Sequence, residues 1–119
     1  MNISKEVKQL IESKVVALGA IDGKYPDITP VLYCKVMDGL IIISHVYMET
    51  AVKNIIKEGI ASIAVWDDEK NKEYGYKMYG KAEYINQGKW LEFVKNIKEN
   101  KDLKVKGAIV FTPIEIKKI

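Results

Sequence analysis

Few residues of this chain have the types and the spacing that enzyme chemistry requires. The sequence contains one cysteine, Cys34, and one histidine, His45, and it lacks glycine-rich phosphate loops, a G-x-S-x-G nucleophile motif and an H-E-x-x-H metal motif. Cys34 lies in an apolar segment, where a buried core residue is commoner than a nucleophile. One cysteine cannot form an intrachain disulfide, and these two residues alone cannot complete a Cys/His zinc site. The sequence therefore identifies no catalytic residue and predicts no metal site.

Residues 44–55 carry the clearest chemical signal, because they join a predicted strand end to a predicted helix start. The first N–H groups of a helix lie at the positive end of its dipole and have no partner within the helix, which favours a bound phosphate. Thr50 is the predicted N-cap and adds a hydroxyl, and Lys53 lies one turn further along. An ordinary capped helix with a solvated lysine explains the same pattern. His45, at the strand end, is either a satisfied buried histidine or a ligand.

The elements that must position these residues follow from the spacing of apolar side chains. Spacing of the i, i+3, i+4 type predicts three short helices. Their apolar stripes are Val7, Leu10 and Ile11; Val52, Ile55 and Ile56; and Trp90, Phe93, Val94 and Ile97. Ser4 is the predicted cap of the first helix, and Gly59 is the predicted end of the second.

Strands are predicted at residues 15–21, 28–37, 40–44, 60–66, 74–85 and 105–116. Asp22-Gly23 and Asp38-Gly39 are hairpin signals, so the first three strands are expected to form an antiparallel meander. Gly80, inside a strand pattern, indicates a bulge or a close approach of two backbones. We therefore expect one domain over residues 1–119 of the mainly β (α+β) class, a six-stranded antiparallel barrel with about three short peripheral helices.

The composition restricts the partners of the protein. Its 119 residues include 19 lysines, no arginine and 16 acidic residues, which gives a net charge of +3. Arginine is the residue best suited to bidentate contacts with bases and phosphates, so its absence argues against nucleic-acid binding. No apolar run approaches the ~20 residues of a membrane span, and the first residues have no apolar segment of the signal-peptide type. We expect a cytoplasmic protein that binds neither nucleic acid nor membranes.

Four segments stand in a characteristic order and spacing: GKYPDITPV at residues 23–31, TAVKNI at 50–55, IAVWD at 63–67 and GYKMYGKAEY at 75–84. In these segments the chain resembles the pyridoxamine 5′-phosphate oxidase-related FMN-binding split barrels, and among them the short members, the small FMN-binding proteins. The resemblance extends over residues 5–116. It implies a split β-barrel that forms a homodimer with the flavin at the two-fold interface, where Trp66 or Tyr76 would come from the second copy.

The resemblance also implies a set of cofactor-binding residues. The residues implied along the isoalloxazine ring are Thr29, Pro30, Val31, Leu32 and Tyr33, and those at the ribityl and phosphate groups are Ser44 and His45. The turn that holds the phosphate is implied to contain Thr50, Ala51, Lys53 and Asn54. Lys77 is implied as a polar contact of the flavin. The family frequently has a basic residue where this chain has Thr50. Because Glu49 adds a negative charge beside that position, Lys53 is the expected counter-charge for the phosphate.

From the resemblance we expect an FMN-binding redox protein, either a flavin-dependent oxidoreductase or an electron carrier that acts on an unknown partner. In such proteins the cofactor supplies the redox chemistry and the protein orients it. True pyridoxamine phosphate oxidases are longer and hold the substrate phosphate with arginine, which this chain lacks. Related split barrels bind the deazaflavin F420 or heme, and both remain alternatives, as does a non-enzymatic dimeric binding protein. For heme, His45 is the only imidazole in the chain.

Overall fold

Seven antiparallel strands form one sheet in the computed structural model, which describes residues 2–69 and 74–119. The strands are β1 (Val16–Asp22), β2 (Tyr25–Val31), β3 (Lys35–Met37), β4 (Leu40–His45), β5 (Ile60–Asp67), β6 (Tyr74–Ile85) and β7 (Gly107–Lys118). The helices are α1 (Lys5–Ser13), α2 (Glu49–Glu58) and α3 (Lys89–Lys95), and a short 3₁₀ turn covers Lys98–Asn100. The mainly β (α+β) class with three short helices is confirmed. Across the two described ranges, no helix is both long enough and apolar enough to cross a membrane.

The order of the strands explains why the sheet is curved. It is β2-β1-β5-β6-β7-β4-β3, so β2 and β3 are the two edges, and only residues 32–34 connect them. Four Cα–Cα steps reach about 15 Å at most, whereas the edges of a flat seven-stranded sheet lie roughly 29 Å apart. The sheet therefore has to curl until its edges approach each other. Because β2 and β3 are not paired in the described chain, the barrel stays open along this seam.

The expectation of a six-stranded barrel that begins with a meander is wrong in both respects. The predicted strand over residues 28–37 is two strands, because Tyr33 has a φ of 59° and interrupts the extended backbone. The two parts pair with different neighbours, β2 with β1 and β3 with β4, so the chain changes from one edge of the sheet to the other. A positive φ at a tyrosine is not visible in a pattern of apolar residues, which is why residues 28–37 resemble one long strand.

The hairpin and bulge signals are confirmed. Strands β1 and β2 are joined by the turn that contains Gly23, and β3 and β4 are joined by Asp38-Gly39. Asp38 and Gly39 have φ values of 52° and 76°, and the tight type I′ hairpin requires positive φ at both of these positions. The pairing of β6 with β7 shifts its register between Tyr79 and Gly80, which is the irregularity that Gly80 predicted.

The starts of the first two helices differ in how they are capped. Ser4 caps α1 as expected, since its Oγ accepts a hydrogen bond of 3.2 Å from the Val7 N–H. Helix α2 has Met48 as its N-cap and no side-chain cap, and Thr50 is an exposed residue of its first turn. The N-cap role predicted for Thr50 is therefore wrong, because the backbone at Thr50 is already helical. Gly59 ends α2 with a φ of 71°, as predicted.

Strand β4 separates two apolar cores. Ile41 and Ile43 belong to the main core inside the barrel, whereas Ile42 belongs to a smaller core that includes Val94 of α3. Both faces of β4 are thus covered, and every residue of the strand after Leu40 is buried. Because side chains alternate along a strand, Ser44 and His45 at its end lie on opposite faces.

Candidate functional site

A cavity of about 530 Å³ lies where the crossing from β2 to β3 passes the end of β4. The residues that line it are Val15, Thr29, Pro30, Val31, Leu32, Tyr33, Ser44, Val46, Tyr47, Met48 and Leu103. Most of these side chains are apolar, and the volume is in the range of roughly 300–1,000 Å³ that small-molecule sites occupy. We call this space the crossing cavity. It is large enough to hold a planar ring system.

The local backbone explains how the crossing cavity forms. Val31 is buried at the end of β2, and the positive φ of Tyr33 then redirects the chain, so that Leu32 and Tyr33 are left partly exposed beside the opening. On the other side, the loop after β4 presents Tyr47, whose side chain is 82% exposed. An exposed aromatic side chain at the edge of an apolar cavity is well suited to contact a ring of a ligand.

The structure brings together six of the residues implied by the resemblance and separates the other six from the cavity wall. The six that line the crossing cavity are Thr29, Pro30, Val31, Leu32, Tyr33 and Ser44. Of the others, His45 is buried on the opposite face of β4, and Ala51 and Asn54 are buried along α2. Thr50 and Lys53 are exposed on α2, and Lys77 is exposed in the middle of β6.

The start of α2 adjoins the crossing cavity through Met48, which is both the N-cap of the helix and a wall residue. The Glu49 N–H donates to the Tyr47 carbonyl at 2.9 Å, and the Val52 N–H donates to the Met48 carbonyl at 3.1 Å. Helix geometry leaves the N–H groups of Thr50 and Ala51 between these two without an intrahelical acceptor. This end of the helix therefore presents two donors and the positive end of the dipole next to the cavity.

Glu49, at the first position of α2, already has a counter-charge. Its Oε1 accepts a hydrogen bond from the Lys106 ammonium, forming an ion pair, and lies 3.2 Å from Nε2 of His45. The hydrogen bond from Lys106, together with the positive charge, holds the pKa of the Glu49 carboxyl below its usual value. Lys106, not Lys53, is thus the cation beside Glu49. Sequence reasoning missed Lys106 because only the pairing of His45 with Gly107 brings the start of β7 to this place.

His45 is held between two protein groups. Its ring is 3% exposed, and Nδ1 lies 2.7 Å from the Tyr84 hydroxyl. Nε2 is near Glu49 but not aligned for a hydrogen bond with it. Gly107 makes the arrangement possible, because a Cβ there would overlap the Tyr84 ring. Burial is the largest effect on the His45 imidazole and lowers its pKa, with Lys106 acting in the same direction and Glu49 opposing both. His45 is therefore an enclosed side chain whose burial favours the neutral imidazole.

The outer face of the sheet is apolar and exposed. A second space of about 530 Å³ lies on the face formed by β2, β1, β5, β6 and β7. Its large apolar residues are Ile21, Ile28, Ile60, Tyr79 and Ile114, and all five are exposed. Trp66 is also exposed on this face of β5, whereas Tyr76 is turned toward α1, where its hydroxyl donates to Glu6. An exposed apolar area of this kind is typical of an interaction surface.

Comparison with known proteins supports the architecture. No protein-family model and no curated protein sequence matches the chain. Among solved structures, HupZ of Group A Streptococcus is 25% identical with a TM-score of 0.86, over 99% of this chain and 94% of that chain. An FMN-binding protein of Syntrophomonas wolfei is 18% identical with a TM-score of 0.77, over 97% and 84%. A protein of Lactobacillus delbrueckii, provisionally assigned as a pyridoxamine 5′-phosphate oxidase, is 15% identical with a TM-score of 0.78, over 97% and 93%.

The open seven-stranded barrel is therefore a split barrel. The chain thus shares the fold of the split barrels that its four sequence segments resemble. An F420 reductase has the same fold, with 13% identity and a TM-score of 0.70 over 97% of this chain and 98% of that chain. Flavin and deazaflavin proteins are thus both represented among its structural relatives.

The enclosed position of His45 leads to a prediction that needs no ligand. His45 is the only histidine, so its ring signals in a proton NMR titration are unambiguous. We expect a pKa below the ordinary value of about 6.5, because burial disfavours the charged imidazolium. Since the unfolded state then binds the proton more readily, the His45 contribution to stability is complete above about pH 6.5 and is lost as the pH falls through the folded pKa.

Two variants test the causes of this shift separately. Lys106→Met removes a neighbouring positive charge, so the His45 pKa should rise toward its ordinary value. Glu49→Gln removes the group that opposes the shift, so the pKa should fall further. A wild-type pKa at or above about 6.5 would show that His45 is not enclosed as described.

Proposed function

We propose that the chain binds FMN and acts as a redox protein, either a flavin-dependent oxidoreductase or an electron carrier. The observation that carries the proposal is that six residues chosen from the resemblance line a single apolar cavity of about 530 Å³. The isoalloxazine ring is proposed to lie in the crossing cavity along Thr29, Pro30 and Val31, with Tyr47 at its exposed side. Bound FMN supplies electron or hydride transfer, and the chain orients the ring and limits its contact with water.

The proposed position of the FMN phosphate is the start of α2. The N–H groups of Thr50 and Ala51, the Thr50 hydroxyl and the dipole of the helix favour an anion there. Lys106 supports this arrangement, because it balances the charge of Glu49 that would otherwise repel a phosphate. Lys53 lies one turn into the helix, exposed, and adds a mobile positive charge. The buried Asn54 and His45 are not proposed as phosphate ligands.

The alternatives differ in how well the described residues suit them. Deazaflavin F420 is the second candidate, since it offers a similar ring system and an F420 reductase is among the structural relatives. Heme is disfavoured, because both ring nitrogens of His45 face protein groups. Nδ1 is hydrogen-bonded to the Tyr84 hydroxyl and Nε2 faces Glu49, so the only imidazole of the chain has no nitrogen available to bind iron. Pyridoxamine phosphate oxidation is not proposed, since the chain has no arginine to hold that substrate.

The proposed functional unit is a homodimer that pairs through the outer face of the sheet. The large apolar residues of β1, β2, β5 and β6 are exposed on this face, and small residues such as Gly19 and Ser62 leave a depression between them. Closed homo-oligomers are most often two-fold, with the same patch used on both copies. Trp66 is the aromatic residue on this face that a second copy could contribute to the flavin.

The absorption spectrum and a flavin titration test the proposal directly. Bands near ~370 and ~450 nm after loading with FMN, with mass spectrometry of the released ligand, identify a flavin; a single band near ~420 nm indicates deazaflavin.

Tyr47→Ala should weaken FMN and riboflavin binding equally, by about two- to tenfold, because a ring contact is lost. Tyr25→Ala is the matched control, since Tyr25 is also exposed but lies outside the crossing cavity. Flavin affinities that Tyr25→Ala and Tyr47→Ala reduce alike would contradict this position for the ring.

The phosphate position makes a separate prediction. Lys53→Met should weaken FMN binding about tenfold at low salt, with the difference narrowing as salt rises, and riboflavin binding should not change. Lys57→Met, one turn further along the exposed side of α2, is the matched control and should have a smaller effect, because it is further from the helix start. Equal losses of FMN affinity from the two variants would show that Lys53 is a solvated surface residue without a specific role at the phosphate.

The dimer is tested by a charge placed on the outer face. Light scattering of the wild type should give twice the 13.5 kDa of one chain. Ile28, which is 74% exposed on β2, becomes buried in the proposed dimer, so Ile28→Lys should give a monomer. Ile56→Lys, at a similarly exposed isoleucine of α2, should leave the dimer intact. A wild-type monomer at micromolar concentration would contradict the proposal.

A further inference from the structure

Asn100, in the 3₁₀ turn after α3, is a buried polar residue beside the crossing cavity. Its side chain is 2% exposed. The Nδ2 group lies 2.8 Å from the Ser44 Oγ and 2.8 Å from the Val94 carbonyl oxygen. A carbonyl oxygen can only accept a hydrogen bond, so the group that faces Val94 has to be the NH₂ and not the oxygen of the amide. The orientation of the Asn100 amide is thereby determined.

This orientation determines the role of the Ser44 hydroxyl. Because Nδ2 is a donor, the Ser44 Oγ has to accept from it, and the single hydroxyl proton of Ser44 remains to be donated elsewhere. In residues 2–69 and 74–119 the hydroxyl proton of Ser44 has no acceptor. Ser44 itself lines the crossing cavity.

We propose that Asn100 is a positioning residue that makes Ser44 a hydrogen-bond donor to the molecule in the crossing cavity. The occupant is then expected to present an acceptor atom, an oxygen or a ring nitrogen, and a ligand that presents an N–H at this point binds less tightly. The inference rests on the proposed function only for the identity of the occupant, since the ribityl and phosphate groups that the resemblance places at Ser44, like the edge of the flavin ring, carry acceptor atoms.

The cost of burying Asn100 supports a role beyond packing. Its Oδ1 has no hydrogen-bond partner among the described residues, and an unpaired buried oxygen is unfavourable. A leucine of similar volume would avoid this cost and fill the same space. An apolar residue, however, could not donate a hydrogen bond to the Ser44 Oγ and so could not leave the Ser44 proton free to point into the cavity.

A pair of bicyclic aromatic probes tests the polarity of the cavity without assuming a flavin. Quinoline carries an acceptor nitrogen and indole carries an N–H donor, so an NMR titration with each measures the preference of Ser44. We expect the wild type to bind quinoline about three- to tenfold more tightly than indole. Ser44→Ala should remove this preference. Asn100→Asp should remove it as well, because a carboxylate accepts the Ser44 proton and turns it away from the cavity.

The matched control is Asn96→Asp. Asn96 is exposed at the end of α3, and its Nδ2 donates to the Glu92 carbonyl at 2.8 Å, so the variant makes the same chemical change away from the cavity. It should retain the wild-type preference. Asn100→Asp combined with Ser44→Ala should match Ser44→Ala alone, because one residue acts through the other. If Asn100→Asp does not fold, Asn100→Ala serves instead. Without the Asn100 amide the Ser44 hydroxyl can both donate to and accept from a ligand, so the preference for quinoline over indole should become smaller.

The outcomes separate this inference from the proposed function. An Asn100→Asp protein with the wild-type preference, or a wild type without any preference for quinoline, overturns the role of Asn100. A wild type that prefers quinoline but does not bind FMN contradicts the proposed function and supports the inference. A wild type that binds FMN but binds quinoline and indole equally supports the proposed function and contradicts the inference.

Discussion

The three-residue crossing from β2 to β3 is the constraint on which the rest of the structure depends. It joins opposite edges of a seven-stranded sheet, so the sheet can satisfy it only by curling. The curl encloses the main core and leaves a seam along the unpaired edges. The crossing cavity lies at this seam, where the backbone turns at Tyr33 and passes the end of β4. The same short connection thus produces the barrel, its opening and the candidate binding site.

The second organising feature is the pairing of β4 with β7. It sets Gly107 opposite His45, which brings Lys106 to Glu49 and leaves space for Tyr84 above the glycine. Glu49 and Lys106 are both exposed, so their ion pair adds little to stability. Its more important effect is local, because it removes a net negative charge from the start of α2. The buried His45 beneath it fixes the end of β4 and thereby the place of Ser44.

Much of this arrangement could be predicted from the sequence, and the failures have physical reasons. Periodicity located three helices and most strands, and the Asp-Gly pairs located the two hairpins with the shortest turns, because these signals are local. The division of residues 28–37 was missed, since a positive φ at Tyr33 leaves no trace in hydrophobicity. Lys106 and Asn100 were missed because their partners, Glu49 and Ser44, are more than fifty positions away in the chain. Such pairs come together only in the folded structure, through the strand register for Lys106 and through the turn after α3 for Asn100.

Strand β2 links the crossing cavity to the outer face of the sheet. Its end, Thr29 to Val31, forms part of the cavity wall, whereas Pro26 to Ile28 line the depression on the outer face. β2 is an edge strand, paired only with β1 on one side, so its free edge is the less restrained side of the cavity. In the proposed dimer, a second copy packed on Ile28 would contact the strand whose end forms the cavity wall. Dimer formation and ligand binding would then stabilise each other if both favour the same conformation of β2.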